Sequence, residues 1–251
     1  MQKEEAERSQ GNLWNRLEQG AELPSGNEER FAGYGVMGVP FTSGDLLAMR
    51  RFLASSLGQG YTSVWHRDPQ GRWTFYSDVP PQLACPRYFG SAVDEAVVRE
   101  IEITWSSPRD FTVSIEADPG LEWHLSLTET PATRLLNAAG GMLPDALWRK
   151  EAVLKPMGKA ASFMLKAGRL GLTGQAPNHQ RFIANPMLLW MIQSSTARIG
   201  NQDLGSVSPL PVQARLGDFW IPQRGIFAIG RAFFEPLDPA RHALTTATSS
   251  G

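Results

Sequence analysis

The stretch from Gly60 to Asp78, GYTSVWHRDPQGRWTFYSD, brings His66, Tyr76 and Asp78 close together in sequence, flanked by Trp65 and Trp73. Histidine is the side chain whose ordinary pKa best suits proton transfer near neutral pH, and a neighbouring carboxylate such as Asp78 can orient its ring and hold its tautomer. General acid/base chemistry needs one or two such groups in a dry cavity and leaves no longer motif behind. Asp68-Pro69-Gln70-Gly71 carries the residues of a type I turn followed by a bulge, so the stretch reads as a hairpin. With Asp68 opposite Arg72, strand alternation puts Trp65, Trp73 and Phe75 on one face, expected to be core. Val64, His66, Thr74, Tyr76 and Asp78 fall on the other. In a filled barrel that second face meets solvent or a covering helix, whereas in a barrel with a ligand cavity it projects into a partly polar lumen.

A second set of candidates lies in the long connection SVSPLPVQARLGDFWIPQRG, residues 206 to 225. A connection of this length without regular structure is usually functional or disordered. Leu210, Leu216, Phe219, Trp220 and Ile221 favour burial, so the segment is expected to pack across a barrel end. Asp218, Arg215, Gln223 and Arg224 then sit among aromatics at the mouth, either as polar contacts for a mostly apolar small molecule or as the Arg and Asp pairing of a plug. Trp65, Trp73 and Trp220 are the expected walls of such a site, with Arg224 at its entrance. The proton-transfer candidates are His66, Tyr76, Asp78 and Asp218.

Charge is unevenly distributed. Residues 131 to 169 hold seven Lys and Arg against Asp145 and Glu151, while the whole chain carries a formal net charge of −1. Lys155, Lys159 and Lys166 form a stripe opposite a Met and Ala face, which reads as a solvated helix face or as an amphipathic lid touching an acidic ligand or a membrane surface.

Several other motifs dissolve in context. GYGVMG at Gly33 to Gly38 fits G-x-G-x-x-G, but no strand is read before it, and Pro40 argues against the helix that a dinucleotide needs after it. His66, His124, His179 and His242 are too scattered for a metal site, and Cys85 between small residues reads as a small buried hydrophobe. No G-x-S-x-G elbow is present. No metal and no cofactor are expected.

The elements that must position these residues are mostly strands. REIEITW, DFTVSIE and LEWHLSLTE each alternate apolar and polar residues and are joined by SSPRD and ADPG, which predicts a three-stranded meander with one wetted face. A second meander is predicted from GRLGLTGQ through QRFIA and MLLWMIQSS to TARI, closing on a Gly200-Asn201 turn. FAGYGVMGV, LLAMRRFL and IFAIGRAFFE supply further strands. Roughly ten to twelve strands are too many to lie flat. Between the meanders, residues 130 to 168 have helical spacing. Thr130-Pro131 is an N-cap pair followed by Ala132, Leu135, Leu136 and Ala139, a second helix runs through DALWRKEAVLK, and a third through MGKAASFMLKAG, closed by Gly168.

The chain of 251 residues, 42% of them hydrophobic, therefore reads as mainly β: antiparallel meanders forming a barrel or strongly curved double sheet, with a helical insertion near 130–168. The alternating strands, with GRW at 71–73, are similar to lipocalin-like barrels at the level of fold only, since the motif here follows a hairpin turn in mid-chain. Residues 1–30 and 236–251 are expected to be flexible ends around a single domain at 31–235. The polar start and the single cysteine suggest a cytoplasmic protein, and balanced charge disfavours nucleic acid. The expected function is a cofactor-independent enzyme moving protons on a small apolar metabolite, an isomerase, hydratase or cyclase acting on a terpenoid, polyketide or lipid. The alternatives are a carrier of the same kind of ligand and an interaction module that docks its basic helical insert on a membrane or partner.

Overall fold

The computed structural model describes Glu18 and residues 20–242, over which fourteen strands, three α-helices and three short 3-10 helices are delimited. The first four strands are β1 (Glu29–Pro40), β2 (Leu46–Ser55), β3 (Gly58–Arg67) and β4 (Trp73–Ser77). A helical turn, α1 (Pro86–Phe89), leads to β5 (Glu95–Val98). The meander β6 (Glu102–Trp105), β7 (Asp110–Ile115) and β8 (Leu121–Thr128) follows. Helices α2 (Pro131–Gly141) and α3 (Glu151–Leu165) come next. The remainder is β9 (Thr173–Gln175), β10 (Arg181–Ile199), β11 (Gln202–Asp203), β12 (Arg215–Leu216), β13 (Phe219–Trp220) and β14 (Ile226–Phe234).

Ten strands run side by side in the order β5-β4-β3-β2-β1-β14-β10-β8-β7-β6, with β9 and β11 also pairing with β10. Neighbours are antiparallel except β4 and β5. The sheet curls strongly into a half-barrel. Trp105 of β6, at one end of the order, lies 6.1 Å from Tyr34 of β1 in its middle and 6.0 Å from Phe227 of β14. One apolar core fills the inside of the curl, joining Val36, Met49 and Val64 to Phe111, Trp123 and Leu127. Two more cover the outer face: one beneath α1 and the 206–225 connection, containing Trp65, Phe75, Phe89 and Leu216, and one beneath α2 and α3.

The hairpin of β3 and β4 has the anticipated register. Asp68 N–H donates to Arg72 O at 2.9 Å, Gly71 has φ +93°, and Trp65 lies opposite Phe75 with their rings stacked at 4.4 Å. Because the sheet is covered on both sides, the second face of this hairpin is also packed, with Val64 fully buried and Tyr76 against the inner core.

Two segments differ from expectation for identifiable reasons. The predicted second meander is chiefly one 19-residue strand, β10, which passes through Pro186. Proline is tolerated because β9 pairs only as far as Ile183 and β8 begins at Met191, so the missing N–H falls in an unpaired gap along that edge. Helix α2 fills the gap. The Asn137 side-chain amide donates to Leu189 O at 3.0 Å and accepts from Leu189 N–H at 2.8 Å, the two bonds that a neighbouring strand would supply. The predicted second and third helices are largely one helix, α3, with Pro156 inside it. Its buried stripe Leu154, Gly158, Ala161 and Leu165 crosses the proline without a break in spacing, so tertiary burial offsets the lost backbone bond. The Thr130 cap is as expected: its hydroxyl accepts from Thr133 N–H at 3.1 Å.

Beyond the last strand, His242 is buried, bonded to Glu235 and to Asp238 N–H, so the chain is packed as far as that residue. Most of the first twenty residues and the end of the tail lie outside the described residues. Among those described, no helix is long and apolar enough to cross a membrane.

Candidate functional site

The helical insertion does not lie flat on the sheet. Between α2, α3 and the outer face of β1, β14 and β10 is a cavity of about 380 Å³, within the size range of small-molecule sites, roughly 300–1,000 Å³. Its roof is the Met and Ala face of α3, Met157, Ala160, Ala161 and Met164, with Leu135, Leu136 and Ala139 of α2. Its floor is unusually bare, with Gly33, Ala184, Ala228, Gly230 and Ala232 presenting little or no side chain. The glycines are imposed by neighbouring strands: a Cβ at Gly33 would stand 2.0 Å from Arg51 O, and one at Gly230 would stand 2.1 Å from Asn185 O. Phe219, Trp220 and Pro222 from the 206–225 connection close one end.

Two arginines line this space: Arg231 of β14, partly exposed and 3.7 Å from Asp145, and Arg50, which enters from within the fold. Arg50 of β2 is 5% exposed. Its Nη1 donates to Val36 O at 2.5 Å and Met49 O at 2.8 Å, and its Nη2 to Met37 O at 3.4 Å. Its guanidinium carbon lies 4.6 Å from the Trp65 ring centre and 5.7 Å from that of Phe219. Among the described residues no carboxylate pairs with it. Burial pushes the guanidinium down to about 10, partly opposed by Cys85 and Tyr61, so it stays cationic at neutral pH. Leaving a buried cation with carbonyl dipoles and aromatic faces but no counter-charge costs several kcal/mol on the order-of-magnitude scale for desolvated ions.

The residues singled out in the sequence are dispersed. Trp220 lines the cavity, and Trp65 lies beneath it as the ring under Arg50. Trp73 is core, edge-on to Phe75. His66 does not look into the cavity; its Nε2 is 2.7 Å from Asp45 Oδ1, a carboxylate held below its usual range by that contact despite burial. Tyr76 is half-buried against the inner core, where burial pushes its phenol up. Exposed Asp78 accepts from Thr62 N–H at 2.8 Å. Asp218, also exposed, accepts from Gln175 N–H at 3.0 Å, and Arg224 reaches Leu165 O at 3.4 Å, where it supports the end of α3. The hairpin face is thus corrected from a cavity wall to packing and backbone support, because both faces of the curled sheet are covered. Cys85 is buried, with its thiol pushed up by that burial. Lys155 and Lys159 are exposed on α3 and Lys166 at the cap just beyond it, Lys155 pairing with Glu151 at 3.0 Å.

Arg50 was legible only as an anomaly. In LLAMRRFL, alternation puts it on the same face as Leu46 and Ala48, both fully buried, so a cation occupies a core position. The Met and Ala face of α3 was visible as periodicity, but not as the roof of an empty space.

No family model matches the sequence, and no curated protein matches it. Among solved structures, acetoacetate decarboxylase from Legionella pneumophila is similar, with 8% sequence identity, 89% of each chain covered and a TM-score of 0.41.

Proposed function

We propose that this protein takes up a small, largely apolar molecule in the cavity beneath α2 and α3 and acts as a binding protein for it. The observation that carries this reading is the cavity itself, walled by methionine, leucine, alanine and aromatic side chains over a floor of glycine and alanine. Its lining among the described residues contains no Asp, Glu, His, Lys or Cys, and the phenol of its one tyrosine, Tyr34, is pushed up by burial and donates to Glu18 at 2.8 Å. Proton-transfer catalysis on a terpenoid, polyketide or lipid would need one such group within reach of the ligand. Binding without acid/base chemistry is therefore favoured over the isomerase, hydratase or cyclase reading.

Native mass spectrometry after gentle purification, together with uptake of the neutral fluorophore 1-aminoanthracene, tests this. The expected result is a retained small molecule or saturable dye binding, abolished in Ala160→Trp, which fills the roof from a position open to solvent. Absence of both, or dye binding unaffected by Ala160→Trp and Ala139→Trp, would overturn it.

A further inference from the structure

We propose that the ligand is an apolar acid, and that Arg50 receives its carboxylate. This rests on the binding reading above and adds the chemical class of the ligand. A guanidinium carries five N–H donors. Three of Arg50's are committed, two from Nη1 to the Val36 and Met49 carbonyls and one from Nη2 to Met37. The Nε hydrogen and the second on Nη2 have no acceptor among the described residues. The Nε hydrogen and one on Nη2 point along the same edge of the planar guanidinium and together form the fork that matches the two oxygens of a carboxylate.

The surroundings hold this fork in place. Trp65 and Phe219 flank the guanidinium, and the three carbonyls fix its other side, so little side-chain freedom remains to be lost on binding. Gly35, opposite Arg50 across β1 and β2, has no side chain to crowd it; a Cβ there would stand 3.1 Å from Arg50 Cδ and 2.3 Å from Met49 O. Apart from Asn185 and Arg231, whose charge is offset by Asp145 at 3.7 Å, the walls beyond are apolar, so charge complementarity selects a single anionic group on an otherwise apolar body. A fork of two free donors suits the two oxygens of a monoanionic carboxylate better than a phosphate, which carries more charge and more acceptors.

The test is isothermal titration calorimetry at neutral pH with decanoic acid, decan-1-ol and methyl decanoate, below their aggregation concentrations, on the wild type and Arg50→Met. The expected result is that wild type binds the acid at least about tenfold more tightly than the alcohol or ester, as one charge-assisted pair provides. Arg50→Met then loses that preference while still binding the alcohol. Equal affinity of the wild type for acid and alcohol overturns the carboxylate assignment and leaves the binding reading standing. A preference for acid that survives Arg50→Met removes Arg50 from it. No binding of any of the three overturns the apolar cavity reading itself. Should Arg50→Met fail to fold, Arg231→Met decides: a preference for acid kept in that variant supports Arg50, and its loss transfers the carboxylate to Arg231.

Discussion

Arg50 and His66 show how one type of observation, a polar group among apolar neighbours, leads to opposite assignments. His66 has its partner within the fold, in Asp45, whereas Arg50 has only carbonyls and rings. We expect His66→Ala to lower stability by about 1–3 kcal/mol, the scale for leaving the buried Asp45 carboxylate without its hydrogen-bond partner, while leaving dye and acid binding unchanged. Chemical denaturation and titration calorimetry on the same variant check both halves. A loss of binding without a loss of stability would return the hairpin to the site. Glu29 is a second buried charge with a structural task. Burial opposes its ionisation, but hydrogen bonds from Arg87 at 2.6 Å and Tyr88 at 2.6 Å, with the Arg87 charge, outweigh that and hold its carboxyl below the usual range. A carboxyl lowered on folding contributes stability above its unfolded pKa, and that stability is lost as pH falls through the lowered folded value. Glu29→Gln is therefore expected to cost about 3 kcal/mol at pH 7. It should also flatten the acid limb of the stability profile, a change read from melting temperatures measured between neutral and acidic pH.

Helix α3 and strand β10 were each read from the sequence as more than one piece, with Pro156 and Pro186 falling at the breaks. A proline ends a helix or strand only where the missing N–H and the ring have nowhere to go. Pro186 falls in a gap between partner strands, and Pro156 is exposed on α3 while the buried stripe continues past it. Pro156→Ala should accordingly raise stability, by up to about 3 kcal/mol if α3 keeps its course, and a fall in melting temperature would show that the proline sets a bend the packing requires. The junction of α2 with β10 depends on one side chain. Asn137→Ala strips the Leu189 N–H and C=O of their partners, and a cost of about 2–4 kcal/mol in urea unfolding is expected from two buried backbone groups left unsatisfied. A near-neutral result would mean that water replaces the amide.

At the scale of the molecule, the curl is held by contacts between wings that are far apart in sheet order. Phe227 lies at the meeting point, within 6.0 Å of the ring centres of Tyr34, Trp105, Phe111 and Trp190. Phe227→Ala is expected to cost about 3–5 kcal/mol, near the top of the range for a buried aromatic, because both wings lose a shared neighbour. Equilibrium unfolding by fluorescence and by circular dichroism should give coincident transitions if the wings unfold together. Separate transitions would show that the curl is not one cooperative unit.

Much of the architecture was legible in the sequence, because it follows from local periodicity: alternation marks the strands of the β6 to β8 meander, Asp68 to Gly71 sets the register of the β3 and β4 hairpin, Thr130-Pro131 starts α2, and the Met and Ala spacing marks the working face of α3. These signals depend on residues within a few positions of one another. Which face of a strand meets which layer is a long-range matter, and only the tertiary structure decided it. Because the sheet curls, the His66 and Tyr76 face is covered by the inner core or held by Asp45. Because α2 and α3 stand off a floor of glycine and alanine, the open space lies on the outer face instead. Arg50 stood in the sequence as one charge at an apolar position, and its meaning depended on carbonyls, rings and an empty volume supplied by segments distant along the chain.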